Sequence, residues 1–196
     1  MAFGVGVNLP TTVILGPAPS CNRPDPSRTG NGFRTRGIED LALLSQHGIT
    51  DVRLGFDWSR LQPRPNGLDG SWAEWYGDII TAAERAGVRV WATLLETTFP
   101  QWFDDLGAFT DAKAAGRWWP RFVETVADGF GDRLAGWFPI DDPIGFADRH
   151  ATDDGRQHGE LVHTLVEAWR DAWRILRGGP PVAGSFPSCS SCLPAC

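Results

Sequence analysis

The order of strand-like and helix-like segments constrains the fold of this chain more than any other feature of its sequence. Short apolar runs predict strands at 3–8, 51–58, 88–95 and 134–142, and helical patterns lie at 34–48, 71–87, 111–130 and 157–177. Residues 180–187 predict the start of a fifth strand. Strands that alternate with helices form parallel sheets through right-handed crossovers. The chain is therefore predicted to be α/β, either an open doubly wound sheet or part of a (β/α)8 barrel.

Local signals set the predicted helix ends. Ser71 and Glu74 have the spacing of a capping box at the start of helix 71–87, which closes at Gly87. Pro120 is expected to start or kink the helix within 111–130, with the preceding pair of tryptophans stapling its start. His163 is predicted to be a core residue, since its helix is mostly apolar.

Acidic residues at the ends of the predicted strands favour the barrel. No G-x-G-x-x-G or G-x-x-x-x-G-K-[ST] motif follows a strand, which disfavours the nucleotide-binding open sheets. In barrels, functional residues lie where strands end at their carboxyl side. Asp57-Trp58, Glu96 and Asp141-Asp142 all fall at such positions. The sequence thus predicts a functional site at that end of the sheet.

Composition and charge exclude several classes of partner. The net charge is −6 and the 18 Lys and Arg residues are scattered, so neither a nucleic acid nor an anionic membrane is an expected partner. No apolar run approaches the roughly 18 residues of a membrane span. The first residues lack the basic start of a signal peptide. A cytoplasmic location is the expectation.

The last residues differ in composition from the rest. Cys189, Cys192 and Cys196 crowd the tail 188–196, while Cys21 stands alone. A structural zinc site usually has four ligands, and no histidine lies near this tail. We therefore predict an unstructured tail after a domain at 1–187, with no metal and no cofactor. A further hypothesis is that the tail is read out of frame.

Three segments resemble glycoside hydrolase family 1, the β-glucosidase type. "DVRLGFDWSRLQP" (51–63) is similar to the family's Y-R-F-S-I-S-W-S-R-I-x-P. "VWATLLETTFPQWF" (90–103) is similar to T-L-x-H-W-D-L-P-Q, and residues 121–143 to the segment that ends in T-x-N-E-P. The resemblance covers residues 3–187. It implies the first four βα units of a (β/α)8 barrel plus a possible fifth strand, and hydrolysis of O-glycosyl bonds with retention.

The resemblance also assigns roles to individual residues. Retaining enzymes use two carboxyl groups roughly 5–5.5 Å apart. The family's acid/base glutamate falls at Asp142, so Asp142 is the predicted catalytic residue. Asp141 stands for the asparagine before it, Glu96 for a sugar-binding histidine, and Arg53 and Trp58 match the second strand. These four are the predicted substrate-binding residues, for a β-glycoside or an oligosaccharide.

Departures from the family pattern predict weak or no activity. Asp142 is one methylene shorter than glutamate, and a misplacement of about 1 Å can cost roughly 100-fold in rate. The T-x-N-G segment that carries the family's nucleophile has no counterpart in these residues. Either a truncated product or a genuine half-barrel is expected, and open sheet edges predict homo-oligomers.

Other interpretations of the same residues stay open. A non-catalytic protein that binds carbohydrate or a partner protein is the alternative function. Acids before Pro143 also fit a solvated turn. Core packing, instead of stacking on a sugar ring, is the alternative role for Trp58 and most other tryptophans.

Overall fold

The structure is a computed structural model that describes residues 5–15, 30–151 and 155–185. Cys21 and the predicted tail 188–196 lie outside the described residues.

The described residues form alternating strands and helices. The strands are β1 (Gly6–Leu9), β2 (Asp51–Gly55), β3 (Arg89–Leu95) and β4 (Gly136–Ile140). The helices are α1 (Thr11–Ile14), α2 (Phe33–Gln46), α3 (Trp58–Leu61), α4 (Gly70–Ala86), α5 (Gln101–Asp104), α6 (Ala112–Phe130), α7 (Pro143–His150) and α8 (Gly155–Leu176). Short 3-10 turns lie at Ala108–Thr110 and Gly131–Arg133. The predicted alternation of strands and helices is confirmed.

The strands form one parallel sheet in chain order, β1-β2-β3-β4. A fifth strand begins beside β4, where Trp137 and Val182 form a parallel bridge. The N–H of Trp137 donates to the carbonyl of Pro181, and the N–H of Ala183 donates to the carbonyl of Trp137, both at 2.8 Å. This arrangement confirms the predicted start of a fifth strand and is that of a partial (β/α)8 barrel.

The two faces of the sheet differ in cover. Val52 and Leu54 of β2 are buried, because alternate side chains of a strand point to the same face and that face is covered by helices. The other face carries Arg53, Trp91 and Phe138, which are only partly buried. The guanidinium of Arg53 lies 4.3 Å from the ring centroid of Phe138, and the rings of Phe138 and Trp91 are 5.9 Å apart. This face, which no described helix covers, therefore combines a charged and two aromatic side chains.

An aromatic cluster fills the space between the sheet end and the helices. Trp58 is fully buried and stacks on Phe122, with ring centroids 4.7 Å apart and an interplanar angle of 15°. Phe103 and Trp119 contact the same indole, at 4.7 and 5.6 Å. The indole N–H of Trp58 donates to Oε1 of Gln62 at 2.8 Å. The cluster joins α3, α5 and α6 into one core.

Several local predictions are wrong. Asp69, not the predicted capping box, caps α4: its carboxylate accepts from the N–H of Trp72 at 3.1 Å. Pro120 lies inside α6, which begins after its N-cap Asp111, so it does not start the helix, and the expected kink stays a prediction. Trp119 is buried in the core rather than at a helix start. His163 is exposed, because the buried stripe of α8 lies on another face of the helix.

The described helices include none that is long and apolar enough to cross a membrane. The predicted pairing of copies through open sheet edges stays a prediction.

Candidate functional site

The site begins with an ion pair that joins the middle of β2 to the end of β4. Arg53 lies on β2, and its Nη2 is 2.7 Å from Oδ1 of Asp141, the first residue after β4. This contact is an ion pair without the alignment of a hydrogen bond, whereas Nε of Arg53 donates to Oγ1 of Thr93 at 2.7 Å. The side chains of Arg53 and Asp141 are 18% and 29% exposed. The structure thus brings two of the predicted substrate-binding residues together.

Ser185 joins this pair from the segment that follows the fifth-strand bridge. Its hydroxyl donates to Oδ1 of Asp141 at 2.6 Å and accepts from the N–H of Asp142 at 3.3 Å. Sequence reasoning missed Ser185. The signal was the predicted strand at 180–187, which brings its last residues to the same edge of the sheet as Asp141.

Asp142 has an unusual backbone and a side chain tied to its own helix. Its φ is +43° and its ψ 69°, a left-handed conformation that is uncommon outside glycine. Oδ1 accepts from the N–H of Gly145 at 2.9 Å, which caps α7, and Oδ2 lies 4.0 Å from Nη1 of Arg149. A Cβ at residue 145 would lie 2.0 Å from Oδ2, so this approach requires glycine. Strained residues of this kind are frequent at functional sites.

Glu96 lies at the end of β3 and is 7% exposed. Its Oε2 accepts from the N–H and the Oγ1 of Thr11, at 2.7 and 2.8 Å, while Oε1 is buried without a hydrogen-bond partner. Burial raises the pKa of the Glu96 carboxyl above its usual value, and the negative charge of Asp141 raises it further. The hydrogen bonds from Thr11 and the positive charge of Arg53 lower the pKa but do not cancel the effect of burial. Glu96 therefore fastens the segment after β1 to the end of β3.

Gly55 permits the contact between Glu96 and Thr11. A Cβ at this position would lie 2.6 Å from Cγ2 of Thr11 and 2.9 Å from Oε1 of Glu96. Because Thr11 and Glu96 are 85 residues apart, no local sequence pattern pointed to Thr11 as a partner.

Trp58 is not brought to this group. Its indole has no exposed surface and is enclosed by the aromatic cluster, so its position supports core packing rather than contact with a sugar. The neighbouring residues of the matched segment also have structural contacts. Asp57 caps α3 and forms a buried ion pair with Arg60, whose Nη2 donates to the carbonyl of Leu15 at 3.1 Å.

The described residues contain no group of three or more His, Cys, Asp or Glu side chains that could hold a metal ion. The absence of a metal stays a prediction, as three cysteines belong to the tail outside these residues.

The arrangement offers hydrogen-bonding groups suited to a polyol. Arg53 donates, and the carboxylates of Asp141 and Asp142 accept. Among the described residues the acids of this edge follow β2, β3 and β4, on one side of a barrel mouth, and the acid after β2, Asp57, is paired with Arg60.

Comparisons with known proteins relate this chain to one enzyme family. The family model described as "Glycosyl hydrolase family 1" matches residues 30–161. The chain is 25% identical over 160 residues to a furostanol glycoside 26-O-beta-glucosidase of Hellenia speciosa, covering 71% of this chain and 28% of that protein. It is 26% identical over 155 residues to a cytosolic beta-glucosidase of Cavia porcellus, covering 72% of this chain and 32% of that protein. The chain thus spans about a third or less of these relatives.

The fold has close counterparts among solved structures. A beta-glucosidase from Thermotoga maritima in complex with deoxynojirimycin superposes with a TM-score of 0.80 at 19% identity, covering 94% of this chain and 48% of that one. The fold is therefore that of one part of a family 1 barrel. Since the family model spans more than half of its residues, the chain belongs to glycosyl hydrolase family 1.

Proposed function

We propose that this chain provides the part of a retaining β-glycosidase site that holds the proton donor and a share of the sugar-binding groups. The observation that carries the proposal is the acid pair Asp141-Asp142 at the carboxyl end of β4, with the side chain of Arg53 reaching Asp141 from β2. Family membership supports it, and so do relatives that are named β-glucosidases. The substrate class is a β-glycoside.

Asp142 is the proposed proton donor. It directly follows Asp141 at the end of β4 and has a left-handed backbone conformation. Its Oδ1 accepts from the N–H of Gly145 at 2.9 Å, so Oδ2 is the oxygen proposed to carry the proton to the leaving oxygen. Asp141 is proposed to accept from a sugar hydroxyl while Arg53 holds its carboxylate in place.

Weak turnover is expected of the chain by itself. Retention requires a second carboxylate roughly 5–5.5 Å from the first, on the opposite side of the sugar. Two described acids at this edge could be considered for that role: Asp141, which is the residue next to Asp142 in the chain, and Glu96, which accepts two hydrogen bonds from Thr11. Neither is placed as an opposing nucleophile in this proposal.

Hydrolysis of an aryl β-glucoside tests the proposal. The wild-type rate should be low but measurable and should be lost in Asp142→Ala. Asp148→Ala is the matched control, because Asp148 lies on the same helix and is exposed. Its Oδ1 is 2.8 Å from Nε2 of His158, so its contact lies outside the site. Equal rates for wild type and Asp142→Ala would remove Asp142 from the mechanism.

Non-catalytic binding of carbohydrate is the second candidate. It is favoured by one observation: both carboxylates of the acid pair are already engaged, Asp141 by Arg53 and Ser185, and Asp142 by Gly145. Calorimetry with a panel of β-glycosides distinguishes the two functions. Heat of binding without hydrolysis, lost in Arg53→Met, would support this candidate, and no heat from any sugar would end it.

A further inference from the structure

The hydroxyl of Ser185 joins the fifth-strand segment to both acids of the candidate site. It donates to Oδ1 of Asp141 at 2.6 Å and accepts from the N–H of Asp142 at 3.3 Å. A hydroxyl can donate one hydrogen bond while it accepts another. One oxygen atom therefore contacts the carboxylate of the first acid and the backbone of the second.

The segment that carries Ser185 is itself held by β4. The N–H of Trp137 donates to the carbonyl of Pro181, and the N–H of Ala183 donates back to the carbonyl of Trp137, both at 2.8 Å. Ser185 lies two residues beyond Ala183 and is partly buried. Its hydroxyl is therefore presented to the acids from a stretch of backbone that is paired with the sheet.

The backbone of Asp142 needs support from its neighbours. Its φ of +43° is left-handed, and residues other than glycine keep such a conformation where surrounding contacts hold them in it. The carbonyl of Asp142 accepts from the N–H of Phe146 at 2.8 Å, and its Oδ1 accepts from the N–H of Gly145. Both of these contacts come from α7. Ser185 is the hydrogen-bond partner that joins Asp142 to the fifth-strand segment.

Asp141 is held from three directions. Its N–H donates to the carbonyl of Leu95 at the end of β3, and its Oδ1 lies 2.7 Å from Nη2 of Arg53. The hydroxyl of Ser185 contacts the same Oδ1. Since the neighbouring acids share this one hydroxyl, its loss loosens the carboxylate of Asp141 and the backbone of Asp142 together.

We propose that Ser185 is a positioning residue for the proton donor Asp142. The inference rests on the proposed function, and it gives Ser185 no contact with the substrate. Without the hydroxyl, the turn at residues 141–142 shifts and carries the carboxyl of Asp142 away from the leaving oxygen. A misplacement of about 1 Å can cost roughly 100-fold in rate.

The leaving group provides a readout that is specific for the proton donor. Phenol needs a proton when it leaves, whereas 2,4-dinitrophenol leaves readily as an anion, so general acid catalysis accelerates release of the first far more than of the second. The ratio of kcat for phenyl β-glucoside to kcat for 2,4-dinitrophenyl β-glucoside therefore measures how well the donor is placed. A smaller folded fraction lowers both rates equally and leaves the ratio unchanged.

Three variants separate the hydroxyl from the rest of the side chain. Ser185→Ala removes it and Ser185→Thr keeps it. Ser45→Ala is the matched control, because the partly buried hydroxyl of Ser45 donates to the carbonyl of Ala86 at 2.7 Å, near the ends of α2 and α4. Far-UV circular dichroism and thermal unfolding check each fold. Hydrogen exchange of the Asp142 N–H, followed by nuclear magnetic resonance, reports on the contact itself without any activity.

In Ser185→Ala, the exchange rate of the Asp142 N–H should rise about threefold or more. The ratio of the two kcat values should fall about tenfold, with KM little changed. Ser185→Thr should return both quantities to near the wild-type values. Ser45→Ala should lower the melting temperature by an amount similar to Ser185→Ala and leave both quantities unchanged, which separates positioning from a loss of stability.

Two results would overturn the role of Ser185. One is a kcat ratio that Ser185→Ala leaves unchanged although Asp142→Ala lowers it, which refutes this inference and spares the proposed function. The other is a Ser185→Thr variant as impaired as Ser185→Ala. If Asp142→Ala itself leaves the ratio unchanged, the proposed function fails and this inference fails with it. If wild-type hydrolysis is below detection, the amide exchange decides alone, and an unchanged rate in Ser185→Ala refutes the contact.

Discussion

Replacing Trp58 should lower stability far more than it changes any ligand contact. The side chain is fully buried, and an indole removes about 150–250 Å² from water. At about 25 cal/mol per Å², Trp58→Ala loses roughly 4–6 kcal/mol, close to the about 3–5 kcal/mol typical of such core truncations. For a domain of this size, each kcal/mol lowers the melting temperature by about 2–4 °C, so a fall of roughly 8–24 °C is expected.

Trp58→Phe separates packing from polarity. The phenyl ring can still stack on Phe122, but Oε1 of Gln62 loses the indole N–H that it accepts at 2.8 Å, so a loss of about 1–3 kcal/mol is expected. Urea and thermal unfolding, followed by far-UV circular dichroism, measure both variants. Trp173→Phe is the control, with little change expected because Trp173 is 40% exposed. An unchanged unfolding midpoint in Trp58→Phe, together with weaker glycoside binding, would refute this reasoning and identify Trp58 as a substrate-binding residue.

Three further changes test other contacts. Because burial raises the pKa of Glu96 above its unfolded value near 4.5, the native state binds more protons, and wild-type stability should fall as pH rises from about 4.5 through the raised pKa. Glu96→Gln should lack this decline in urea titrations across pH 4–8. An unaltered decline in the variant would contradict the assignment. Gly136→Ala would place Cβ 2.1 Å from the ring of Trp91 and should cost about 1–3 kcal/mol, whereas Gly129→Ala, with no atom within 4 Å, should be neutral or stabilising. Asp111→Ala should cost about 1 kcal/mol in thermal unfolding, since its carboxylate caps α6 through two N–H groups at 2.8 Å.

The architecture could be predicted because its signals are local. Each strand is a short β-branched or apolar run that ends at a polar or turn residue, and each long helix has a repeating apolar face. The strand ends were predictable for the same reason, and with them the position of Glu96 and of the acid pair. The end of β4 was placed too late, at Asp142, because α7 begins directly at Pro143 and its eight residues have only a weak apolar pattern.

The contacts of the site could not be predicted, since they depend on distant residues. Glu96 is held by Thr11, 85 positions earlier, and Asp141 by Ser185, 44 positions later. Trp58 follows a strand as a sugar-stacking residue would, but the short helix α3 turns its indole into the core. Its surroundings come from α5 and α6, which no pattern around residue 58 specifies.

The aromatic cluster has a practical consequence for following this molecule in solution. Trp58 and Trp119 of this cluster have no exposed surface, and their indoles lie 5.6 Å apart. Indoles held this near in a fixed orientation couple their electronic transitions. Near-ultraviolet dichroism should therefore report the tight packing of side chains, and it should vanish in a loosened state that keeps its helices.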